Sequence, residues 1–183
     1  MRWRPLPRRT ALAALAAAAA LTLGAPRTDA IVCNTPCTPS GSDKVVLALY
    51  YNHAMADHIT AAHGDSITTA TNEGYVFVRN EAIVYKNYKP GLIPLRLMKS
   101  ADDYFTVASG VLLQGAYIQA AWKLRRIEGW IHPTQVSGTV PIFMFYSFAR
   151  NDFMLTATAA GIASARAAGY EDMGIQGFVF PAP

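Results

Sequence analysis

Three histidines and one aspartate lie within eleven residues of the chain, at His53, Asp57, His58 and His63. Imidazole and carboxylate groups bind zinc and transfer protons. The spacing argues against a shared site, because neighbouring residues of a strand point to opposite faces and five-residue steps suit neither a strand nor a helix face. We therefore expect surface or turn histidines, with no catalytic residue, no metal and no cofactor. A small secreted hydrolase or metal-dependent enzyme built on this cluster is kept as an alternative.

Acidic residues recur at the start of three similar segments. They read Asp57-His58-Ile59-Thr60, Asp102-Asp103-Tyr104-Phe105-Thr106 and Asp152-Phe153-Met154-Leu155-Thr156. An aspartate at such a corner usually caps a turn with its carboxylate, and an adjacent acid pair is usually solvated. We expect turn caps, with ligand contact as the alternative. Whether the aspartates converge on one pocket or lie at three separate rims is open at this stage.

Aromatic residues are abundant, with nine tyrosines and eight phenylalanines. An exposed ring beside a turn carboxylate suits a sugar, because the ring stacks on the apolar face and the polar group orients the hydroxyls. The alternative is that the rings fill a small β core, above all Tyr75, Tyr117 and Tyr170, which recur. The candidate ligand-binding residues are Asp57, His58, Asp102, Asp103, Asp152, Phe143 and Trp130.

The elements that must position these groups are three similar stretches of sequence. Val140-Pro141-Ile142-Phe143-Met144-Phe145-Tyr146-Ser147 resembles Ile93-Pro94-Leu95-Arg96-Leu97-Met98-Lys99-Ser100 at an interval of 47 residues. Val45 to Asn52 is a weaker copy. A fixed period of this length indicates one supersecondary unit repeated along the chain. We expect units at 44–90, 91–137 and 138–183, forming a single domain.

Each unit has the same order of elements. An opening strand is followed by the acidic corner and a second strand, a short helix, and a pair of closing strands. The helix is clearest over Thr158 to Ala168 and shortest over Gly110 to Gln114. The sequence thus predicts a mostly β fold with one short helix per repeat (α+β). Closure around a pseudo-threefold axis, propeller-like or trefoil-like, would leave few free sheet edges.

Alternation along the opening strands assigns their faces. The positions that are apolar in all three copies should face the core: Leu47, Leu95 and Ile142, then Leu49, Leu97 and Met144. The opposite face holds Arg96 in the second unit, so we expect it to be partly wet. Phe143 and Phe145, on that face, become candidates for exposed aromatics, with a core filled from both sides as the alternative.

The closing motif resembles that of a secreted tandem-repeat family of bacteria and fungi with no established function. Its units read roughly P-L-Y-R-x-Y, G-D-H-F-Y-T and E-G-I-x-G-Y-V-F-P. The third unit is most similar, through Ala168-Gly169-Tyr170 and Gly177-Phe178-Val179-Phe180-Pro181. The family histidine is matched by His58, whereas Asp103 and Phe153 fall at that position in the other units. The resemblance implies a module found beside extracellular hydrolases and assigns no catalytic residues.

The first thirty residues are typical of a signal peptide, with four arginines before an apolar run of 13 residues from Ala11 to Leu23. That run is shorter than the roughly 20 residues needed to span a bilayer. We expect cleavage after Ala30, or alternatively after Ala25, and a secreted or periplasmic protein without a membrane span. Residues 31–43 would form a tail.

The leader also carries most of the net charge. It holds five of the 16 basic and one of the 12 acidic residues, so 11 of each remain. A neutral mature chain lacks the basic footprint of a nucleic-acid-binding protein. We predict a monomer that does not bind nucleic acid.

Cys33 and Cys37 are the only cysteines. An exported chain meets an oxidising compartment, so a local disulfide is expected, with free or intermolecular thiols as the alternative because the loop is tight. These features together favour an exported, non-catalytic binding module for extracellular or cell-surface carbohydrate. An interaction or inhibitor protein acting on another exported protein is a further alternative to the enzyme considered above.

Overall fold

The computed structural model describes residues 43–101, 103–108, 110 and 122–183. The predicted leader, the Cys33–Cys37 disulfide, Asp102, Tyr117 and nearly all of the short helix of the second unit lie outside these ranges. No helix within the described ranges is long and apolar enough to cross a membrane.

The described chain is mostly β, as the sequence predicts. Its elements are β1 Lys44–Asn52, β2 Asp57–Ala61, α1 Gly64–Asn72, β3 Val76–Tyr85, β4 Ile93–Lys99, β5 Tyr104–Val107, β6 Lys123–Ile131, β7 Val140–Ser147, β8 Asp152–Thr156, α2 Ala159–Ala167 and β9 Glu171–Pro181.

The strands associate in three antiparallel triplets. In the first triplet β1 pairs with β2 and β3, in the second β4 pairs with β5 and β6, and in the third β7 pairs with β8 and β9. The opening strand is central in each. Because the second strand pairs with the end of the opening strand, it starts beside the turn that joins the two.

The expected pair of closing strands is wrong, since each triplet closes with one long strand. β3, β6 and β9 run for 10, 9 and 11 residues. Where a break was expected, each closing strand has a β-bulge, and one of its residues has no partner on the opening strand. These residues are Glu81, Glu128 and Gln176, as the register steps from Ala82 to Asn80, from Gly129 to Ile127 and from Gly177 to Ile175. A bulge bends the strand and redirects the extra side chain without ending the ladder.

The predicted core face is confirmed, with Leu47, Leu95 and Ile142 fully buried. The expectation of an exposed Phe145 is wrong, since this side chain is also fully buried. The helices cover the second face: Phe145 packs with Ala165 of α2, and Tyr50 packs with Ala70 of α1. The core is therefore filled from both sides of the opening strands.

The triplets contact one another at both ends. On one side β2, β5 and β8 pack together, and Thr106 Oγ1 donates a hydrogen bond to the Thr60 carbonyl at 2.7 Å. At the opposite end the closing strands meet, and the rings of Tyr85, His132 and Phe180 pack edge to face with centroids 5.6 to 6.0 Å apart. These contacts hold the three acidic corners in fixed positions relative to one another.

Candidate functional site

The three acidic corners converge. Asp57 and Asp152 are the first residues of β2 and β8, and Asp103 directly precedes β5. Each offers a carboxylate oxygen, and the three oxygens lie within 4.8 Å of one another. Within the described ranges, no other group of three or more histidine, cysteine or acidic side chains is so closely spaced. We call Asp57, Asp103 and Asp152 the aspartate triad.

The expectation that the acid pair is solvated is wrong for Asp103, its described member, and the aspartates of the other two corners are buried as well. Asp57, Asp103 and Asp152 are 3 %, 5 % and 0 % exposed. Packing of β2, β5 and β8 against one another encloses them, which no property of a single segment reveals. The convergence left open by the sequence is thus resolved in favour of one centre, with Asp103 as the member from the second triplet.

Tyrosine hydroxyls hold two of the three carboxylates. Tyr75, just before β3, donates to Asp57 Oδ2, and Tyr170, just before β9, donates to Asp152 Oδ2. Asp152 also accepts from the His58 backbone N–H at 2.9 Å, and its Oδ2 lies 2.7 Å from His58 Nδ1. The recurring tyrosines therefore position acids, and both are buried as their recurrence suggested.

Other oxygens of the triad have no donor. Asp57 Oδ1 and both oxygens of Asp103 are buried without a hydrogen-bond partner in the described part of the chain. Burial raises the pKa of Asp57 to about 9, helped by Asp103, with which only a protonated Asp57 can share a hydrogen bond. Burial also raises the pKa of Asp103 to about 6. The site thus favours either a bound proton or another positive charge.

The histidine cluster is divided. Only His58 touches the triad, and its ring lies 4.5 Å from that of Tyr51, centroid to centroid. His53 is exposed, and its ring contacts the ring of Tyr51. His63 lies elsewhere, and its backbone N–H donates to Glu128. Strand register also corrects the alignment of the second unit with the family motif. Tyr104 pairs with Lys99 as His58 pairs with Tyr51, so Tyr104 occupies the place of His58 and Asp103 matches Asp57. In the third unit Phe153 pairs with Tyr146 and keeps that place.

The candidate aromatics lie elsewhere. Phe143 is half-buried with its ring 6.4 Å from that of Phe145, and Trp130 is half-buried 5.0 Å from Tyr88. Sequence reasoning missed Phe148, which is 69 % exposed in the turn between β7 and β8. Its position in a turn, where polar residues dominate, was the available signal.

Sequence reasoning also missed the bulge residues, which link neighbouring triplets. Glu128 of β6 accepts from the backbone N–H groups of Ala62 and His63 at 2.7 and 3.2 Å and from Ser66 Oγ at 2.5 Å, at the start of α1. Carboxylates stabilise helix N-termini because the first N–H groups lack partners within the helix.

The other two bulge residues repeat this contact around the molecule. Glu81 of β3 accepts from the backbone N–H groups of Ala157 and Thr158, each at 3.2 Å, before α2. Gln176 of β9 accepts from the Ala108 N–H at 3.3 Å, after β5. Each closing strand thus places one polar side chain against a backbone N–H group of another triplet. The signal in the sequence was the polar residue that recurs immediately before Ala82, Gly129 and Gly177.

A cleft of about 350 Å³ opens between α1 and the strands of the second triplet. Ile59, Leu97 and Tyr104 line its floor and are almost fully buried. Polar and charged side chains form its walls: Asp65, Ser66, Thr69, Arg125 and Arg126. We call this the α1–β6 cleft.

A second depression of about 460 Å³ adjoins it, shares Arg125 and adds Lys99 and Lys123. A bulge leaves Arg125 without a partner on β4, since the register steps from Arg126 to Leu124. Arg126 Nη1 lies 3.2 Å from Asp65 Oδ2, and Lys99 Nζ lies 2.8 Å from Glu73 Oε1. The walls therefore offer both cationic donors and carboxylate acceptors.

Comparison with protein-family models, with curated proteins and with solved structures found no match for this chain. The resemblance to the secreted repeat family consequently rests on its motifs alone.

Proposed function

We propose that this chain is an exported, non-catalytic binding module that takes extracellular or cell-surface carbohydrate in the α1–β6 cleft. The observation that carries the proposal is the lining of that cleft, an apolar floor with hydrogen-bonding groups around it. We further propose that its three units are related and close around a pseudo-threefold axis.

The closure is supported by contacts that recur at matching positions. Each triplet has a bulge residue capping another triplet, and two described triplets have a tyrosine donating to the aspartate 18 positions earlier. The three rings at the end of the closing strands recur in the same way. A common origin of the units explains this agreement more simply than three independent solutions.

The cleft matches a saccharide in size and in chemistry. Small-ligand sites begin at about 300 Å³ and combine apolar surface with a few placed polar groups. Leu97 and Tyr104 line the bottom of the cleft but are only 3 % and 1 % exposed, so they offer a sugar a small apolar contact and the polar walls carry most of the recognition. The hydroxyls of Ser66 and Thr69 and the carboxylate of Asp65 provide hydrogen bonds to sugar hydroxyls.

The charge on the walls favours an acidic sugar. Arg125 and Arg126 lie in the cleft, and Lys99 and Lys123 continue the basic surface into the adjoining depression. Arginine binds carboxylates through two parallel N–H groups, a geometry that suits a uronic acid. We therefore expect polyuronate to bind better than neutral glucan.

Affinity gel electrophoresis and calorimetry test this proposal, using the chain from residue 31 with polygalacturonate, alginate and a neutral β-glucan. We expect retention by an acidic polymer and at least a roughly tenfold loss of affinity in Arg125→Ala, the effect of one charge-assisted hydrogen bond. Arg166→Ala, which removes an exposed arginine of α2, is the matched control. The proposal is overturned if no glycan is retained or if both variants bind as the native protein does.

A further inference from the structure

The aspartate triad contains a side chain that the fold leaves unexplained. Asp103 is 5 % exposed, and neither of its carboxylate oxygens has a hydrogen-bond partner in the described ranges. Buried polar groups are almost always paired, and an ionised carboxylate without a partner is strongly unfavourable. Asp57 Oδ1 is also buried and unpaired. Oxygens of this kind, directed at one another, need a positively charged partner.

We propose that Asp57, Asp103 and Asp152 bind one hard divalent cation, Ca²⁺ in preference to Mg²⁺, and that this ion joins the three triplets. The inference is independent of carbohydrate binding, since the triad and the α1–β6 cleft share no lining residue. Carboxylate oxygens are the ligands of both ions, and no thiol or imidazole belongs to the group.

The spacing of the oxygens favours the larger ion. Three oxygens up to 4.8 Å apart surround a point about 2.8 Å from each, if they form an equilateral triangle. Ca²⁺ binds oxygen at roughly 2.3–2.6 Å and accepts irregular geometry, whereas Mg²⁺ requires roughly 2.0–2.1 Å and near-octahedral order. Only a small inward movement of the carboxylates is needed for Ca²⁺.

The neighbours of the triad hold the ligands in place. The hydroxyls of Tyr75 and Tyr170 each fix one oxygen of an aspartate, and the His58 N–H fixes a third. Such contacts orient metal ligands and prevent them from turning away. They leave Asp57 Oδ1 and both oxygens of Asp103 without a donor. Asp152 Oδ1 accepts the His58 N–H through one of its two lone pairs and keeps the other for a cation.

Metal content and calorimetry test the proposal. The native chain is first analysed by mass spectrometry for bound metal, then unfolded and refolded in chelator and titrated at pH 8 with CaCl₂ or MgCl₂. We expect one Ca²⁺ per chain, a raised melting temperature and at least roughly tenfold weaker binding of Mg²⁺. Asp103→Asn should weaken Ca²⁺ binding at least about tenfold, since loss of a group that only supports a ligand already costs about 10–100-fold.

Asp172→Asn is the matched control, because it removes one exposed carboxylate outside both the triad and the cleft, and its amide oxygen can still accept from the Gly174 N–H. In chelator, Asp103→Asn should be at least as stable as the native chain, since it relieves repulsion among the acids. If Asp103→Asn does not fold, Asp57→Asn takes its place and the native titration still decides. Absence of Ca²⁺ binding by the native chain, equal binding of Mg²⁺, or unchanged affinity in the variant overturns the proposal.

Discussion

Replacing Glu128 by alanine tests the contact between β6 and α1. Glu128 is fully buried and accepts hydrogen bonds from Ala62 N–H, His63 N–H and Ser66 Oγ. Each buried donor left without a partner costs about 1–3 kcal/mol. Because His63 is only half-buried, water can replace Glu128 at its N–H. Most of the lost stability therefore comes from the Ala62 N–H and the Ser66 hydroxyl. We expect Glu128→Ala to lower the free energy of unfolding by about 3–5 kcal/mol.

Glu128→Gln separates shape from charge. The amide oxygen still accepts, as Gln176 does from Ala108 at 3.3 Å, whereas the amide nitrogen cannot accept. We expect this variant to lose about 1–2 kcal/mol. Asp65→Ala is the control, since the Asp65 side chain is 95 % exposed and its pairing with Arg126 should contribute little.

Urea unfolding at pH 7 gives these free energies, and amide hydrogen exchange locates the effect. Exchange at Ala62 and His63 should accelerate more than exchange in α2, because Glu128 caps only α1. A loss below about 1 kcal/mol in Glu128→Ala, within the range of surface substitutions, would refute the reasoning. Equal acceleration in α1 and α2 would also contradict a local cap.

Two further predictions concern the triad and the closing strands. The raised pKa of Asp57 means that, in chelator, the folded chain keeps a proton which the unfolded chain releases above about pH 4. The free energy of unfolding should therefore fall as the pH rises towards 9. Unfolding at pH 5 and pH 8 measures this, and a flat or rising profile contradicts it. Gly177→Ala would place a Cβ 2.6 Å from Ile131 Cδ1 at a φ of +153°, so we expect a loss of at least about 2 kcal/mol. Gly64→Ala, with nothing within 4 Å, should change unfolding by less than about 1 kcal/mol, and equal effects of the two would be inconsistent with the close approach.

Local patterns in the sequence were sufficient for the β content and for the buried positions Leu47, Leu95 and Ile142. Alternation and recurrence depend on neighbours along the strand, so they are visible in one segment. The exposure predicted for Phe145 was wrong because α2 covers that face, and helix docking is a tertiary event. The single closing strands were missed for a related reason, since a bulge and a break leave the same signal of a polar residue before a small one.

The same difference between local patterns and tertiary packing decides which parts of the candidate site could be predicted. Recurrence singled out the aspartates and tyrosines, but not the enclosure of Asp57, Asp103 and Asp152, which arises only when β2, β5 and β8 pack together. The interpretation of the aspartates as turn caps, and of the acid pair as solvated, treated each corner separately. Contacts between triplets, as at Glu128, likewise require the three-dimensional arrangement.

The convergence of the aspartate triad on one cation is tested most directly by anomalous diffraction from crystals of the native chain grown with CaCl₂. We predict one Ca²⁺ peak surrounded by oxygens of Asp57, Asp103 and Asp152 at about 2.4 Å. A map with the three carboxylates together but no peak, or with the carboxylates at separate surfaces, would contradict it.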